Sequence, residues 1–396
     1  MHKRMTHVRL AAVLGCLSLA VRAGAGAPFV DPSEDIENLG PATGLLTWTP
    51  EQQVASYRNS DRIFPTRVIS AGMNPSELGE AQKALGSVVL KRGDESMTVD
   101  DYFERQSVAG LLVIKDGAVV YERYGLGNDA NSRWISFSVA KSVVSMLIGA
   151  AIQDGYIDSV DEKVTRYLPR LQGSSYDQTS IRDLLQMASG VTWNEDYADP
   201  ESDVATASWE TVALYEFLRN KPRAAKPGEV FNYNTAETNL AGTLLRSAIG
   251  NNLSTYLSEK IWQPFGMESE ASWNLTEPGG GEFGGCCINA TLRDYGRLGL
   301  FALANGVLPD GTAVLPEGWM TASTQPSKGY DGYGYFWWLG DEGVFAASGI
   351  FGQGIHIDRD ENLVIALHSA RPDASKREDW DWEDALFAAI TNSLRD

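Results

Sequence analysis

From Trp134 to Ile152 the chain reads Trp-Ile-Ser-Phe-Ser-Val-Ala-Lys-Ser-Val-Val-Ser-Met-Leu-Ile-Gly-Ala-Ala-Ile. From Ser138 onward the helix this predicts is apolar or small on every side. Such a helix has no face to turn to water, so it belongs in the middle of the protein, over Ser138 to about Gln153. Lys141 is its only charged residue, and no Asp or Glu lies between Asp129 and Asp154 to neutralise it locally. Burying an unpaired ammonium is costly, so its pKa should fall until the neutral amine is populated. The positive end of the helix dipole pushes the same way. A neutral amine at physiological pH is a general base.

Ser138 lies three residues before Lys141, on the same helical face and close to the unpaired N–H groups of the helix start. A hydroxyl beside a desolvated lysine and next to such donors is what an acyl-transfer nucleophile requires. The bare Ser-x-x-Lys pattern arises by chance about once in a chain of this composition. A Lys141 that snorkels to the surface or meets a distant carboxylate is the structural alternative.

The other chemistries have little material. Met1–Arg9 carries Lys3, Arg4 and Arg9, Leu10–Val21 is apolar, and Ala23-Gly24-Ala25 is a small-residue cleavage site. Residues 1–25 therefore read as a secretory signal, and the mature protein is expected to be exported, periplasmic or secreted. Val13-Leu14-Gly15-Cys16 is a weak match to a lipidation box, with too short an apolar stretch before it. Losing Lys3, Arg4, Arg9 and Arg22 takes the formal charge from −19 to −23 and leaves two histidines, His356 and His368. A chain this acidic is not expected to seek nucleic acid or an anionic membrane. Cys286 and Cys287 are adjacent and are expected to be buried small hydrophobes rather than a bridge or redox centre. No His-Glu-x-x-His or paired Cys-x-x-Cys is present, so neither metal nor organic cofactor is expected.

Residues 26–108 are polar and broken by prolines, and read as an extension wrapped around the body. Strand-like runs at Ala109–Lys115 and Ala118–Tyr124 meet at Lys115-Asp116-Gly117, a hairpin signal. Helical patterns follow at Ser180–Ala188, Val204–Leu218, Thr235–Ile249 and Thr291–Asn305. Strands are expected at Tyr333–Leu339, Gly354–Asp358 and Leu363–Ser369, and a last helix at Asp381–Leu394. Strands at both ends with helices between them imply an α+β fold: one antiparallel sheet from both ends of the chain, flanked by helices. Residues 109–165 and 275–396 would form the α/β part and 166–274 an inserted helical subdomain.

Several further stretches, in order, resemble the serine β-lactamase-related, penicillin-recognising hydrolases with a β-lactamase/transpeptidase-like fold. The likeness is to the class C-like branch of esterases and 6-aminohexanoate-dimer hydrolases. Ser138-Val139-Ala140-Lys141 matches the nucleophile motif, and Leu184-Leu185 with Ser189-Gly190 matches a helix end. Pro227-Gly228-Glu229-Val230-Phe231-Asn232-Tyr233 matches the tyrosine loop, and Thr291-Leu292-Arg293-Asp294 a helix start. Ala347-Ser348-Gly349 stands at the third motif.

The resemblance implies acylation at Ser138, with Lys141 and Tyr233 as the acid–base pair; a cationic lysine beside Tyr233 is expected to lower its pKa. It implies an oxyanion hole from the N–H groups of Ser138 and Ile350. Tyr197, in Trp193-Asn194-Glu195-Asp196-Tyr197, is a substrate contact by the same likeness, as are Trp193, Thr235, Ser348 and Gly349. Trp134, Trp193 and Trp209 are candidates for pocket lining. Lys163 and Arg293 are expected in salt bridges, and both histidines are expected to be structural.

Ala347 replaces the cation with which the family's β-lactamases meet a carboxylate, which favours a small ester or uncharged amide substrate. A penicillin-interactive aminopeptidase or carboxypeptidase, a β-lactamase, and a catalytically silent binding protein of the same fold remain as alternatives. Oligomeric state is not legible.

Overall fold

The computed structural model describes residues 36–395; the expected signal segment and Cys16 lie outside them. Helix α1, Pro50–Arg58, opens on a capping box, with Thr49 and Gln52 each accepting the other's backbone N–H. Strands β1 (Thr66–Ile69), β2 (Gly79–Glu80), β3 (Val89–Arg92) and β4 (Glu95–Thr98) follow, then α2 (Val99–Arg105). Next come β5 (Val108–Lys115) and β6 (Ala118–Tyr124). Asp116 and Gly117 between them have φ of 53° and 78°, the positive pair a two-residue hairpin turn demands. After β7 (Arg133–Ile135) come α3 (Val139–Gln153), α4 (Ile181–Leu185), α5 (Thr211–Arg219) and α6 (Thr235–Ile249). The chain closes with β8 (Ala271–Asn274), β9 (Ile288–Thr291), α7 (Leu292–Leu303), β10 (Trp338–Leu339), β11 (Val344–Gly349), β12 (Gln353–Asp358), β13 (Leu363–Ser369) and α8 (Arg377–Leu394).

The main sheet runs β10-β11-β12-β13-β5-β6-β2. Every pairing is antiparallel except that of β2 with β6. Its central joint is β5 against β13, registered from Lys115↔Leu363 to Val108↔Ser369, so the sheet is built from both ends of the chain as expected. Alternate residues of these two strands enter different cores. Leu112, Ile114, Val364 and Ala366 pack with α3 and α7, while Leu111, Val113, Ile365 and Leu367 pack with Phe103 of α2 and Trp382, Leu386 and Ile390 of α8. Covered on both faces, the strands need the continuous apolar sequence they have.

Helix α3 is the buried centre the sequence predicted: each residue from Val139 to Ala151 is buried. Gly149 is required there, because a Cβ would sit 2.7 Å from the Trp319 ring.

Several boundaries move, for local reasons. The helix expected over Ser180–Ala188 stops at Leu185, and Met187 takes φ 52°. The Val204–Leu218 pattern divides into Asp203–Thr206 and α5. Phe336 at φ 58° breaks the run Tyr333–Leu339, leaving only β10 as strand. Strand β11 was not expected, since Ala, Ser and Gly are weak strand formers. A second sheet, β1-β8-β9-β7, was also unforeseen, and through β1 and β2 the segment before Ala109 enters both sheets.

Candidate active site

Ser138 is the N-cap of α3 and makes no capping bond with its side chain. The residue before it, Phe137, has φ 44°, a left-handed backbone that turns the chain from β7 into the helix and costs about 1–3 kcal/mol. Lys141 Nζ lies 2.9 Å from Ser138 Oγ and donates to the Gly285 carbonyl at 2.7 Å. Lys141 is 1% exposed, and burial drives its pKa down to about 7, opposed by the charge of Glu195. That counter-charge comes from a distant loop, so the lysine is less isolated than its own segment suggested.

The loop that reaches Lys141 is held against α6. A Cβ on Gly285 would meet Thr235 Cγ2 at 2.7 Å, and the Gly284 N–H donates to Asn239 Oδ1 at 2.9 Å. Two glycines in a row are what this approach needs. Beyond them, Cys286 and Cys287 are buried as expected, but their sulfurs are joined in a vicinal disulfide, which corrects the expectation of an unbridged pair. Cys287 has φ 96°, the turn that lets neighbouring side chains face each other.

Tyr233 precedes the N-cap of α6, Asn234, whose side chain accepts from the Glu237 N–H at 3.0 Å. Its loop is pinned to the end of α4: Gly228 N–H donates to Ala188 O at 2.6 Å and Asn232 N–H to Met187 O at 2.7 Å. The Tyr233 ring stacks on Trp338 with centroids 5.6 Å apart, and Lys141 Nζ is 5.2 Å from its centre. The expected lowering of its pKa is not what the structure gives. Burial, reinforced by Glu195, raises it well above the ordinary phenol value, while the Ser138 side chain acts to lower it.

Glu195 went unrecognised in the sequence. One carboxylate oxygen accepts from Tyr197 Oη (2.6 Å) and Thr235 Oγ1, the other from the Thr235 N–H (3.0 Å) and the Trp193 indole. It ties the Trp193–Tyr197 loop to the start of α6, one residue beyond Asn234. The only hint was its place two residues before Tyr197.

A cavity of about 600 Å³ opens beside Tyr233; Glu195, Tyr197, Tyr233, Trp338, Ser348 and Ile350 line this end of it, whereas Ser138 and Lys141 are not among its lining residues. Among the described residues, neither the Ser138 nor the Ile350 N–H donates to a backbone carbonyl in the loops and caps. Three expected contacts do not line this cavity. Trp193 and Thr235 brace Glu195 instead, and Gly349 packs on the Ser136 carbonyl, 2.7 Å from where its Cβ would stand. Trp134 and Trp209 are also elsewhere: Trp134 in the core against Tyr57 and His368, Trp209 against Phe283. Arg293 forks onto Glu122 at 2.7 Å twice, whereas Lys163 donates to the Gln178 carbonyl and has no carboxylate partner among the described residues. His368 is buried beside Trp134 and Tyr295, but His356 lines the cavity.

The β-lactamase family pattern matches residues 98–389, nearly three-quarters of the chain. The chain belongs to the β-lactamase family. It is a serine hydrolase of that family. Among relatives, it is 27% identical over 364 residues to the 6-aminohexanoate-dimer hydrolase of Paenarthrobacter ureafaciens, covering 86% of this chain and 91% of that one. A β-lactamase of Pseudomonas fluorescens is 24% identical over 43% of this chain and 48% of its own. Among solved structures, a Bacillus anthracis protein provisionally named a 6-aminohexanoate-dimer hydrolase superposes with TM-score 0.78 at 22% identity, over 87% of this β-lactamase-family chain and 94% of its own. A class C β-lactamase gives 0.58 at 16% identity, over 75% and 94%. These likenesses establish the β-lactamase/transpeptidase-like fold.

Proposed function

We propose that the protein is an exported hydrolase of small esters and amides, with a bias to amides, that passes through an acyl-enzyme at Ser138. The observation that carries this reading is the contact of Lys141 Nζ with Ser138 Oγ at 2.9 Å, made by a lysine whose pKa burial lowers to about 7. Near neutrality about half of that amine is free to act as a base. It takes the Ser138 proton as Oγ bonds to the substrate carbonyl carbon. The developing oxyanion is received by the N–H groups of Ser138 and Ile350. The Tyr233 hydroxyl gives its proton to the leaving amine or alkoxide as the scissile bond breaks, and regains the one that Lys141 took from Ser138. A raised phenol pKa suits it to arrive protonated. Water then attacks the acyl carbon, losing its proton to the same pair, and the acid leaves with Ser138 restored.

The amide bias rests on the Paenarthrobacter relative and on Ala347 at the third motif. A substrate carboxylate would meet no cation there and would face Glu195. The test is covalent labelling with a fluorophosphonate, located by mass spectrometry. Label on Ser138, absent in Ser138→Ala and strongly slowed in Lys141→Ala, is expected. Folded protein that takes no label would overturn the hydrolase reading in favour of a ligand-binding one. Nitrophenyl esters, linear amides and β-lactams then rank the substrates, and fast β-lactam turnover would sink the amide bias.

A further inference from the structure

The carbonyl that holds Lys141 belongs to Gly285, the residue directly before the vicinal disulfide. The Cys286 N–H donates to Phe283 O at 3.0 Å, closing a turn around Gly284 and Gly285. The next two carbonyls are taken by β8: Cys286 O accepts from the Trp273 indole at 2.9 Å, and Cys287 O from the Asn274 N–H at 3.0 Å. Of the three, the Gly285 oxygen turns to α3. Ile288, which follows, accepts from the Ser136 N–H at 2.8 Å and donates to Ser136 Oγ at 2.9 Å, two residues before Ser138.

The two cysteines pack in an apolar cluster with Phe137 and Phe351, whose rings stand 5.0 Å apart. Phe137 precedes Ser138 and Phe351 follows Ile350, so the cluster holds the neighbours of both proposed oxyanion donors. Cys286 is 6% exposed and Cys287 1%, and neither lines the substrate cavity.

A bridge between sequence neighbours closes almost no loop, so it takes little freedom from the unfolded chain. Its effect is local. The small covalent ring contains the Cys286 Cα–C and Cys287 N–Cα bonds. It holds Cys287 at φ 96°, where a residue with a Cβ rarely stays unless its surroundings impose it. Two thiols need more room than the joined pair, and a close-packed cluster has none to spare. Opening the ring therefore frees two backbone torsions and pushes on Phe137 and Phe351 together. Gly285, with no side chain to resist, is the next residue to turn.

We infer that the Cys286–Cys287 disulfide is a redox-sensitive positioning site: joined, it keeps the Gly285 carbonyl on Lys141 and Lys141 on Ser138; opened by a dithiol, it lets that carbonyl turn away. This rests on the hydrolase reading above. In the opening step the S–S bond breaks, two electrons and two protons pass from the dithiol to the cysteine sulfurs, and the dithiol leaves as its own disulfide.

The test compares the full chain oxidised and reduced with dithiothreitol, its fold followed by circular dichroism. Fluorophosphonate labelling of Ser138 is read both as a rate constant and as a final amount. Reduction is expected to slow labelling ~10-fold or more with the final amount unchanged, and reoxidation to restore the rate. A bridge that only stabilised the fold would lower the amount and leave the rate constant of the folded molecules unmoved. The double variant Cys286→Ser, Cys287→Ser should label at the slow rate with or without dithiothreitol. Equal rate constants in the oxidised and reduced chain, or a folded double variant as fast as the oxidised chain, overturns the positioning site and leaves the hydrolase reading standing. No label in either state overturns both.

Discussion

Lys141 and Glu237 are both fully buried, sit on the packed helices α3 and α6, and are both moved by burial to a pKa of about 7, from opposite directions. Only one is placed to do chemistry. Lys141 touches a hydroxyl at a helix start and lies 5.2 Å from the ring centre of Tyr233, which lines the cavity; its other bond is to a carbonyl. Glu237 is sealed between Tyr176 Oη at 3.0 Å and Ser189 Oγ, lines no described cavity, and leaves Oε2 unbonded. A perturbed pKa marks desolvation; what separates a general base from a structural strut is access to a reacting atom.

The largest effects should fall on the Lys141 side. Ser138→Ala is expected to cut kcat/KM for a nitrophenyl ester by about 10⁴-fold or more, and Lys141→Ala by about 10³-fold, with thermal unfolding little changed for the serine variant. Equal activity in Lys141→Ala would make that lysine as inert as Glu237. In the wild type, kcat/KM should rise with pH through about 7, because the base form of Lys141 appears there. A flat profile from pH 5 to 9 would remove it from proton transfer.

Glu195 links the two behaviours, being a structural tie whose charge is felt by Lys141. Glu195→Gln removes a charge that raises the lysine's pKa, so the acid limb should move to lower pH by up to about one unit. The Gln amide also turns donors towards Thr235 and Tyr197, and a ~10-fold loss of kcat/KM should accompany the shift. An unmoved limb would confine Glu195 to holding its loop.

The smallest kinetic effect is expected from Glu237→Gln, read as stability. A carboxyl raised from 4.5 to about 7 in the folded state binds more protons folded than unfolded. Its contribution is therefore full below pH 4.5 and lost as pH rises to 7, at up to about 1.4 kcal/mol per pH unit. The variant should flatten that part of the stability curve in urea titrations, with kcat changed less than ~3-fold. A kcat collapse in well-folded Glu237→Gln would erase the contrast.

What was legible followed from sequence distance. Ser138 and Lys141 share one helical turn, so their contact and the lysine's desolvation could be argued from nineteen residues. The antiparallel sheet from both chain ends followed from apolar runs covered on both faces. Glu195 was not legible, because its meaning depends on a loop reaching the start of α6. That His356 lines the cavity was not legible for a similar reason: strand periodicity gives its face of β12, but not whether that face meets core or cavity. Thr235 and Trp193 lie in the right motifs, yet their donor groups point to a carboxylate rather than to the substrate cavity. Tyr233's pKa was misjudged because burial outweighs a neighbouring amine that is itself half neutral.

The joint of β5 with β13 carries a consequence for how the enzyme comes into being. Ser138 and Lys141 lie in the first half of the polypeptide, but Ile350 stands between β11 and β12, which reach the sheet only through β13. A nascent chain halted before Val344 holds Ser138 without Ile350, the second oxyanion donor of the proposed mechanism, and the ribosome must nearly finish before both can meet. Closing so long a loop is slow, so under the proposed mechanism Ser138 stays silent during synthesis and is switched on by the last strands to arrive.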